Sequence, residues 1–521
     1  MSSSRPEMSR AQQDTLPIEG QGATPALVPG LKRGLLIATL ALVGCAVGPD
    51  FRRPVAPNDV HYTERDLSDA TANSPGLGGA AQHFSPDQEI PAEWWTMFHS
   101  QEIDALVREA LAHSPTLAAA QATLRQAQET LRANEGALLA PSATAQLQGT
   151  RERVSSKSHL TVVNANVDVS YNVDVFGGAR RQIEGFQAQA DFSSEELEAT
   201  YLTLTANVVT AALREASYRA QLKTTREIAD EQARQVEVVQ RQYAVGAVPR
   251  STVLQQRTQL AATNASIPGL EKQLAQTRDQ LAVLVGKTPS SADLPVVTLE
   301  ALSLPTDLPV SLPSNLVRQR PDIRASEAQL HQASAQIGVA TAAMLPQFSL
   351  TGEYGYSGSS LGHLVNPADA IWSLAAGVTQ PLFKGGQLAA ERRAAIAAYD
   401  AAWQQYQRTV LLAFQNVADT LVALDADAKT LAADAEADDL ARETLTLVQA
   451  QYKLGAASFL SLLIAQQQYS QAHITLVQAQ TSRFIDTATL FQALGGGWWN
   501  RAQPLADISH PTEEAGREAN K

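Results

Sequence analysis

A chain of 521 residues with a formal net charge of −13 excludes a nucleic-acid binder, which would present a basic face. Hydrophobic residues make up 44% and aromatics only 6%. With Ala and Gln plentiful, that suits long helices packed through small side chains better than a compact aromatic core. The single cysteine, Cys45, excludes an intrachain disulfide.

In chain order, Lys32 and Arg33 precede "GLLIATLALVGC", an apolar run of about ten residues that is too short to stay in a bilayer as a helix. Leu42-Val43-Gly44-Cys45 resembles a bacterial lipobox, in which cleavage before the cysteine frees it to receive lipid. Ala46 in place of an Asp points to transfer to the outer membrane. The other reading of Cys45 is a small buried side chain. Residues 1–44 are therefore expected to be a signal peptide with an N-terminal extension, and 45–100 a lipidated segment.

Beyond that point much of the chain reads twice. "YNVDVFGGARRQ" (Tyr171–Gln182) and "TQPLFKGGQLAAERR" (Thr379–Arg393) each end a strand-like run, turn on two glycines and enter a long helical stretch. "RQYAVGA" (Arg241–Ala247) parallels "AQYKLGA" (Ala450–Ala456), and Gly286 parallels Gly495. Gly178 and Gly386 lie 208 positions apart; Tyr243 and Tyr452, and Gly286 and Gly495, lie 209 apart. A repeat near 209 residues follows: 101–300 is the first copy, 301–497 the second, and 498–521 a tail.

Neither Gly nor Pro occurs from Phe186 to Val245 or from Gln387 to Leu454, which predicts helices of roughly 60 and 68 residues, on the order of 90–100 Å long. Apolar residues step by threes and fours in both. They are Leu197, Tyr201, Leu204, Val208 and Ala211 in the first, and Ile396, Tyr399, Trp403, Tyr406, Val410, Phe414, Val417, Leu421 and Leu424 in the second. That is a coiled-coil seam. Pro268 predicts a kink in the returning helix of the first copy.

A strand precedes each helix. From Val163 to Val175 the odd positions are apolar and the even positions polar, over a length that meets the roughly 9–11 residues of a tilted outer-membrane strand. Ala143–Gly149, Phe348–Tyr356 and Trp372–Val378 are further strands, with polar loops expected at Arg153–His159 and Gly358–Ala370. Four strands cannot close, and an open edge in lipid costs several kcal/mol per unpaired group. Several chains must pool their strands; two would make a filled barrel, and three or more would leave a lumen. Gly177, Gly178, Gly385 and Gly386 are expected to carry the wall from sheet to helix.

With the lipobox, the duplication and the corners assembled, the chain resembles the outer-membrane efflux channels of the TolC/OprM superfamily, specifically its NodT-type lipoproteins. "CAVGPDFRRP" (Cys45–Pro54), "EWWTMFHSQEIDALVREAL" (Glu93–Leu111), "YKLGAASFLSLLIAQQQY" (Tyr452–Tyr469) and "ALGGGW" (Ala493–Trp498) carry the resemblance over nearly all of the mature chain. It implies a mainly α fold with a membrane β-barrel portion: four β-strands per protomer, a homotrimer with a twelve-stranded barrel, and coiled-coil helices forming a periplasmic α-barrel. It implies a passive exit duct, lipid-anchored through Cys45 in the outer membrane. The implied partners are a periplasmic adaptor and an inner-membrane transporter of the RND type. The adaptor would dock at the turns Val245-Gly246-Ala247 and Leu454-Gly455-Ala456. Where the family often has Leu-x-x-x-Asp, this chain has Leu460 and Ile464. Either these close the periplasmic end by apolar packing and dewetting, or they are coiled-coil core. Asp168, Asp174 and Glu353 either line the lumen, by strand parity, or simply face solvent.

Signatures of catalysis are poor. "VGKTPS" (Val285–Ser290) ends like a phosphate loop, but Leu281 stands where its upstream Gly belongs; it reads as a helix end. The nine His residues form no His-x-x-x-His pair, so no zinc site and no cofactor are expected. The competing readings are a periplasm-spanning structural lipoprotein without a pore and an outer-membrane component of a protein secretion system.

Overall fold

The computed structural model describes residues 46–502 apart from 58–60, 64–69, 86–87, 156–157, 292 and 363–366. Cys45 and its lipobox, like residues 503–521, lie outside the described residues.

The N-terminal region leads into Trp94–Phe98, a tight turn with Trp94, Trp95 and Phe98 buried. Helix α1 (Gln101–His113) starts where the Ser100 hydroxyl accepts from the Ile103 N–H at 3.2 Å, satisfying one of the first-turn donors that a helix leaves unpaired. It buries Ile103, Leu106, Val107 and Ala110, the spacing of a single face. Helix α2 (Pro115–Leu139) has Pro at its first position, where no N–H is needed.

Strands β2 (Ser142–Ser155) and β3 (Ser158–Val173) follow, after the short β1 (His83–Ser85) near the N-terminus. Helix α3 (Gly178–Ala244) runs out and α4 (Arg250–Leu284) returns. Then come β4 (Asp307–Pro309), the short α5 (Pro313–Gln319), α6 (Pro321–Ala342), β5 (Gln347–Gly358), β6 (Ala370–Thr379), and a second hairpin of α7 (Gln387–Lys453) and α8 (Phe459–Ala493). Strand β4 pairs with β1 in parallel, joining the starts of the two halves.

Both long helices have 67 residues and both returning helices have 35, against the roughly 60 and 68 read from the sequence for the long pair. The first helix gains its length by running through Gly185, since one glycine in a helix costs only about 1 kcal/mol. Pro268 likewise lies inside an unbroken α4, where it withholds one backbone hydrogen bond. The glycine N-caps Gly177 and Gly386, both left-handed at φ 78° and 82°, lie 209 positions apart (386 − 177). The helix-end glycines Gly246 and Gly455, at φ 74° each, are also 209 apart. The one-residue discrepancy at the Gly-Gly corners thus disappears when conformation rather than letter is matched.

The seam residues read from the sequence are buried or half-buried throughout. On α3, Leu197, Tyr201, Leu204, Val208 and Ala211 are at most 7% exposed, and on α7 Val417, Leu421 and Leu424 are at most 2%. The main core lies where α1, α3 and the end of α8 meet: Trp94 stacks on Phe491 at 5.5 Å and Phe98 lies 6.3 Å from Phe484.

Candidate functional site

The strands form one antiparallel sheet in the order β2-β3-β5-β6. Its register sorts the side chains into two faces. Asp168 stands opposite Glu353 and Thr144, and Tyr354 stands opposite Val167 and Trp372. One face therefore carries Gln146, Asn166, Asp168, Glu353 and Ser373. The other carries Leu147, Val167, Tyr354, Trp372 and Leu374. The apolar face is bare: Leu147 is 69% exposed, Trp372 76%, Leu374 79% and Val378 63%. Water would not favour so large an uncovered apolar surface, whereas lipid would.

On the polar face the Asp168 carboxylate accepts from Gln146 Nε2 at 2.5 Å and from Asn166 Nδ2 at 2.8 and 2.9 Å. These amides satisfy one of the two facing carboxylates. Asp174, grouped with them by parity, lies past the last paired residue of β3. Its carboxylate accepts from the N–H groups of Ala179 (3.1 Å) and Arg180 (3.0 Å) and from the Arg180 side chain (3.2 Å). It is committed to the start of α3, where a negative charge also complements the helix dipole. The loop expected at Arg153–His159 is correspondingly short: Arg153 pairs with His159 and Ser155 with Ser158, across a bulge. Polar residues stay in register there because the ladder is a backbone interaction, indifferent to polarity where a strand meets no core.

The two corners are alike in glycine conformation and unlike in surroundings. A side chain at Gly177 would meet Ala46, the residue after Cys45, at 2.6 Å, and one at Gly178 would meet Ala342 at 2.9 Å; Gly385 and Gly386 have nothing within 4 Å. The segment after Ala46 is clamped over the first corner. The Val47 N–H donates to the Phe176 carbonyl (2.9 Å), and Arg181 donates to the Val47 carbonyl (3.2 Å) and to Asp50 (2.6 Å). Phe51 then stacks on His331 at 4.3 Å, and Arg53 pairs with Glu327 at 2.6 Å. Beside the second corner, Leu382 and Phe383 are 91% and 88% exposed.

At the far ends of the hairpins, the Ala247 N–H reaches the Gln242 carbonyl (2.8 Å) and the Gly246 N–H that of Tyr243 (2.9 Å); Ala456 and Gly455 repeat this with Gln451 (2.9 Å) and Tyr452 (3.0 Å). These are Schellman caps, which need a residue tolerant of positive φ at the glycine. Val245 and Leu454 project from the two turns, 80% and 84% exposed. The turns are linked by the Tyr452 hydroxyl, which donates to Gln242 Oε1 at 3.3 Å. Leu460 and Ile464, one turn apart on α8, are 59% and 47% exposed, while Leu462 and Ala465 beside them are buried. They are therefore not core of their own hairpin.

A surface that the sequence reading missed runs along α7. Ala397, Gln404, Gln415 and Ala426 are exposed, as are Leu411 (68%) and Val422 (55%). Spacings of seven and four place these residues on one stripe. Shifted by 209, they correspond on α3 to Ala188, Glu195, Ala206, Ser217, Leu202 and Leu213. All of these are buried except Leu202, which is half-buried. On α3 the stripe seats on α6 and α8 of the same chain: Glu195 pairs with Arg324 at 2.7 Å, and the Thr481 hydroxyl donates to Ser217 Oγ at 2.9 Å. Laying the two copies side by side at 209 would have exposed the match, but not that only one of the stripes is covered.

Long helical hairpins joined to an amphipathic sheet with a bare apolar face define a membrane-inserted channel component. The chain matches the outer membrane efflux protein family over residues 106–287 and 312–496, and it belongs to that family. It is 30% identical over 439 residues to the pyoverdine export outer membrane protein OpmQ of Pseudomonas putida, covering 82% of this chain and 92% of that protein. It is 28% identical over 491 residues to the toluene efflux pump outer membrane protein TtgC of the same species, covering 92% and 98%. The solved outer-membrane channel OprN matches with a TM-score of 0.79 at 25% identity, over 87% of this chain and 100% of that one. The family is one of outer-membrane transport proteins, and this chain is an efflux component of that membrane.

Proposed function

We propose that the chain assembles with two further copies into a continuous exit duct, anchored by lipid on Cys45 and conducting passively. The observation that carries this reading is the uncovered stripe on α7. The same stripe on α3 is satisfied by α6 and α8; by the 209-residue correspondence, the α7 stripe would seat on α2 and α4 of a neighbouring copy. The two patches are different surfaces, so the contact is head-to-tail, and such contacts make a ring where the rotation between copies closes. Gln404 and Gln415 within the stripe favour protein over lipid as its cover.

A ring of this kind also joins edge strands β2 and β6 of neighbouring copies, leaving no open edge in the membrane. Three copies pool twelve strands, enough to leave a lumen lined by Asp168 and Glu353. The clamp of Val47, Asp50 and Arg181 holds the segment after Ala46 at the base of the sheet, a few residues along the chain from the proposed lipid site at Cys45. Leu460 and Ile464, turned away from their own hairpin, meet their equivalents at the far end and close it by apolar packing. The turns at Gly246 and Gly455 receive a periplasmic adaptor that links the duct to an inner-membrane transporter. The relatives' names point to different cargoes, pyoverdine and toluene, and a duct needs no cargo pocket.

Planar-bilayer recording together with native mass spectrometry of the detergent-purified chain tests the reading. Reproducible channels from a three-chain species are expected; a monomer, or an oligomer that never conducts, would leave the pore-free structural reading standing.

A further inference from the structure

The apolar face of the sheet has a height that its register fixes. On β3 it runs from Val173 to Val163, or about 34 Å of strand at about 3.4 Å per residue. Tilted by about 35–45°, that stretch rises about 24–28 Å, against the roughly 25 Å apolar band of an outer-membrane barrel. At the foot of the band Val173 stands opposite Phe348, and Phe348 opposite Val378; at its top Val163 stands opposite Gly149 and Gly358. Tyr356, paired with Ala165, lies one row below the top, where aromatic side chains flank such bands.

Beyond the top row the same face turns basic. Arg151 stands opposite Thr161, and Arg153 opposite His159. By strand parity they share the face of Leu147 and Val167. The two rows lie about 7 and 14 Å further along the strand, hence about 5 and 10 Å above the band, the level of lipid headgroups. Arg151, Arg153 and His159 are exposed, and Arg151 has no ion pair among the described residues. The carboxylate between the arginines, Glu152, belongs to the opposite face, paired with Leu160. The sheet's other hairpin differs: from Gly358 to Ala370 its described residues include no Lys, Arg or His and a single acid, Asp369, at the head of β6. The cluster also runs against the sign of the whole chain, whose net charge is −13.

We infer that this rim binds the phosphorylated glycolipid headgroup of the membrane's outer leaflet, lipid A in chemical class. The inference rests on the proposed orientation, in which the helices are periplasmic and the Arg151 end of the sheet faces outward. Guanidinium forks match phosphate oxygens bidentately, and arginines in two successive rows suit a headgroup with more than one phosphate. The acyl chains then lie along the apolar face below, so one lipid meets two continuous surfaces of the same hairpin.

Native mass spectrometry of the full-length detergent-purified protein, titrated with lipid A carrying two phosphates and with the same lipid dephosphorylated, tests this. The phosphorylated lipid is expected to bind about tenfold more tightly, the worth of one charge-assisted hydrogen bond. Replacing both arginines (Arg151→Gln with Arg153→Gln) should bring the two lipids within about twofold of each other. Glu152→Gln, on the same strand and the opposite face, should leave the preference unchanged. Equal binding of the two lipids by the parent, a preference that survives in the double variant, or equal binding of cardiolipin, a phosphate lipid without the sugar, overturns the proposal. The double variant should keep the parent's three-chain mass and bilayer conductance. A parent that never assembles or conducts strikes the duct reading, whereas one that does both and shows no phosphate preference strikes this inference alone.

Discussion

Helices α3 and α7 have the same length, the same left-handed glycine N-cap and the same C-terminal turn, yet their surroundings differ. Helix α3 packs against α1, α2, α4, α6 and α8; helix α7 packs against α6 and α8. Their corners differ likewise. The first is capped by Asp174 and covered by Ala46, while the position 209 residues after Asp174 is Phe383, which is 88% exposed. One copy of the pattern is satisfied within the molecule, and the other is left uncovered; on the proposed reading a neighbouring copy covers it.

The largest expected effect separates Leu213, fully buried on α3, from Val422, its 55%-exposed counterpart on α7. Leu213→Ala should destabilise the chain by about 2–5 kcal/mol. Val422→Ala should change the stability of the unassembled chain by less than about 0.5 kcal/mol, whereas Val422→Asp strips the oligomer. Denaturant titration beside native mass spectrometry reads both; if Val422→Asp assembles normally, the stripe is not the contact.

The corners give the next contrast. Gly177→Ala meets both the left-handed backbone penalty, about 1–2 kcal/mol, and the wall of Ala46 at 2.6 Å. Gly386→Ala meets only the former. A lower thermal midpoint is expected for Gly177→Ala than for Gly386→Ala, and equal midpoints would mean that the N-terminal clamp adds no constraint.

Acidity distinguishes the two stripes as well. Burial pushes the Glu195 carboxyl up to about 7, against the pull of Arg324 and with help from Glu198, Asp191 and Glu327. Folded protein then binds this proton more tightly than unfolded protein does, so stability grows as pH falls through about 7 and is lost as pH rises through it. Between about pH 8 and pH 6 the gain is about 1.4 kcal/mol. Asp486, pushed up to about 7 by burial and by Asp427, slopes the same way. Glu195→Gln should flatten its share of the slope in urea midpoints. The α7 counterpart is the neutral Gln404, so the assembled fraction should show no matching dependence; a parallel slope in assembly would place a titrating group at the interface.

The smallest change expected in stability, though not in function, is at the duct's end. Ile464→Asp puts a carboxylate on a residue already 47% exposed, so stability should shift by less than about 0.5 kcal/mol. A ring of such charges would raise cation selectivity and loosen an apolar closure. Unaltered conductance, leak and selectivity in bilayer recordings would remove Ile464 from the constriction.

Much of the fold was legible because its signals are periodic and local. Alternation along Val163–Val173 sorted β3 into an apolar and a polar face, which its pairing with β2 and β5 keeps. Threes and fours marked the seams of α3 and α7, and the turn sequences around Gly246 and Gly455 fixed both helix ends. Asp174 was misplaced because parity cannot reveal where a strand stops and a carboxylate is taken by the next helix's N–H groups. Gly185 looked like a helix boundary because propensity is a weak prior that packing overrides. The burial of Gln232, whose amide has no partner among the described residues, left no trace in the sequence, since a glutamine on a helix reads as solvated until its neighbours are known.

The sequence by itself determined the membrane-grade strands, the two long hairpins, their spacing of about 209 residues and the family, because each depends on residues near one another along the chain. Only the tertiary structure decided that α3 is enclosed while α7 is not, and that the clamp of Ala46 and Arg181 favours one corner over its twin. Those outcomes depend on which distant surfaces meet, and the same amphipathic stripe is compatible with burial inside the chain or against another copy.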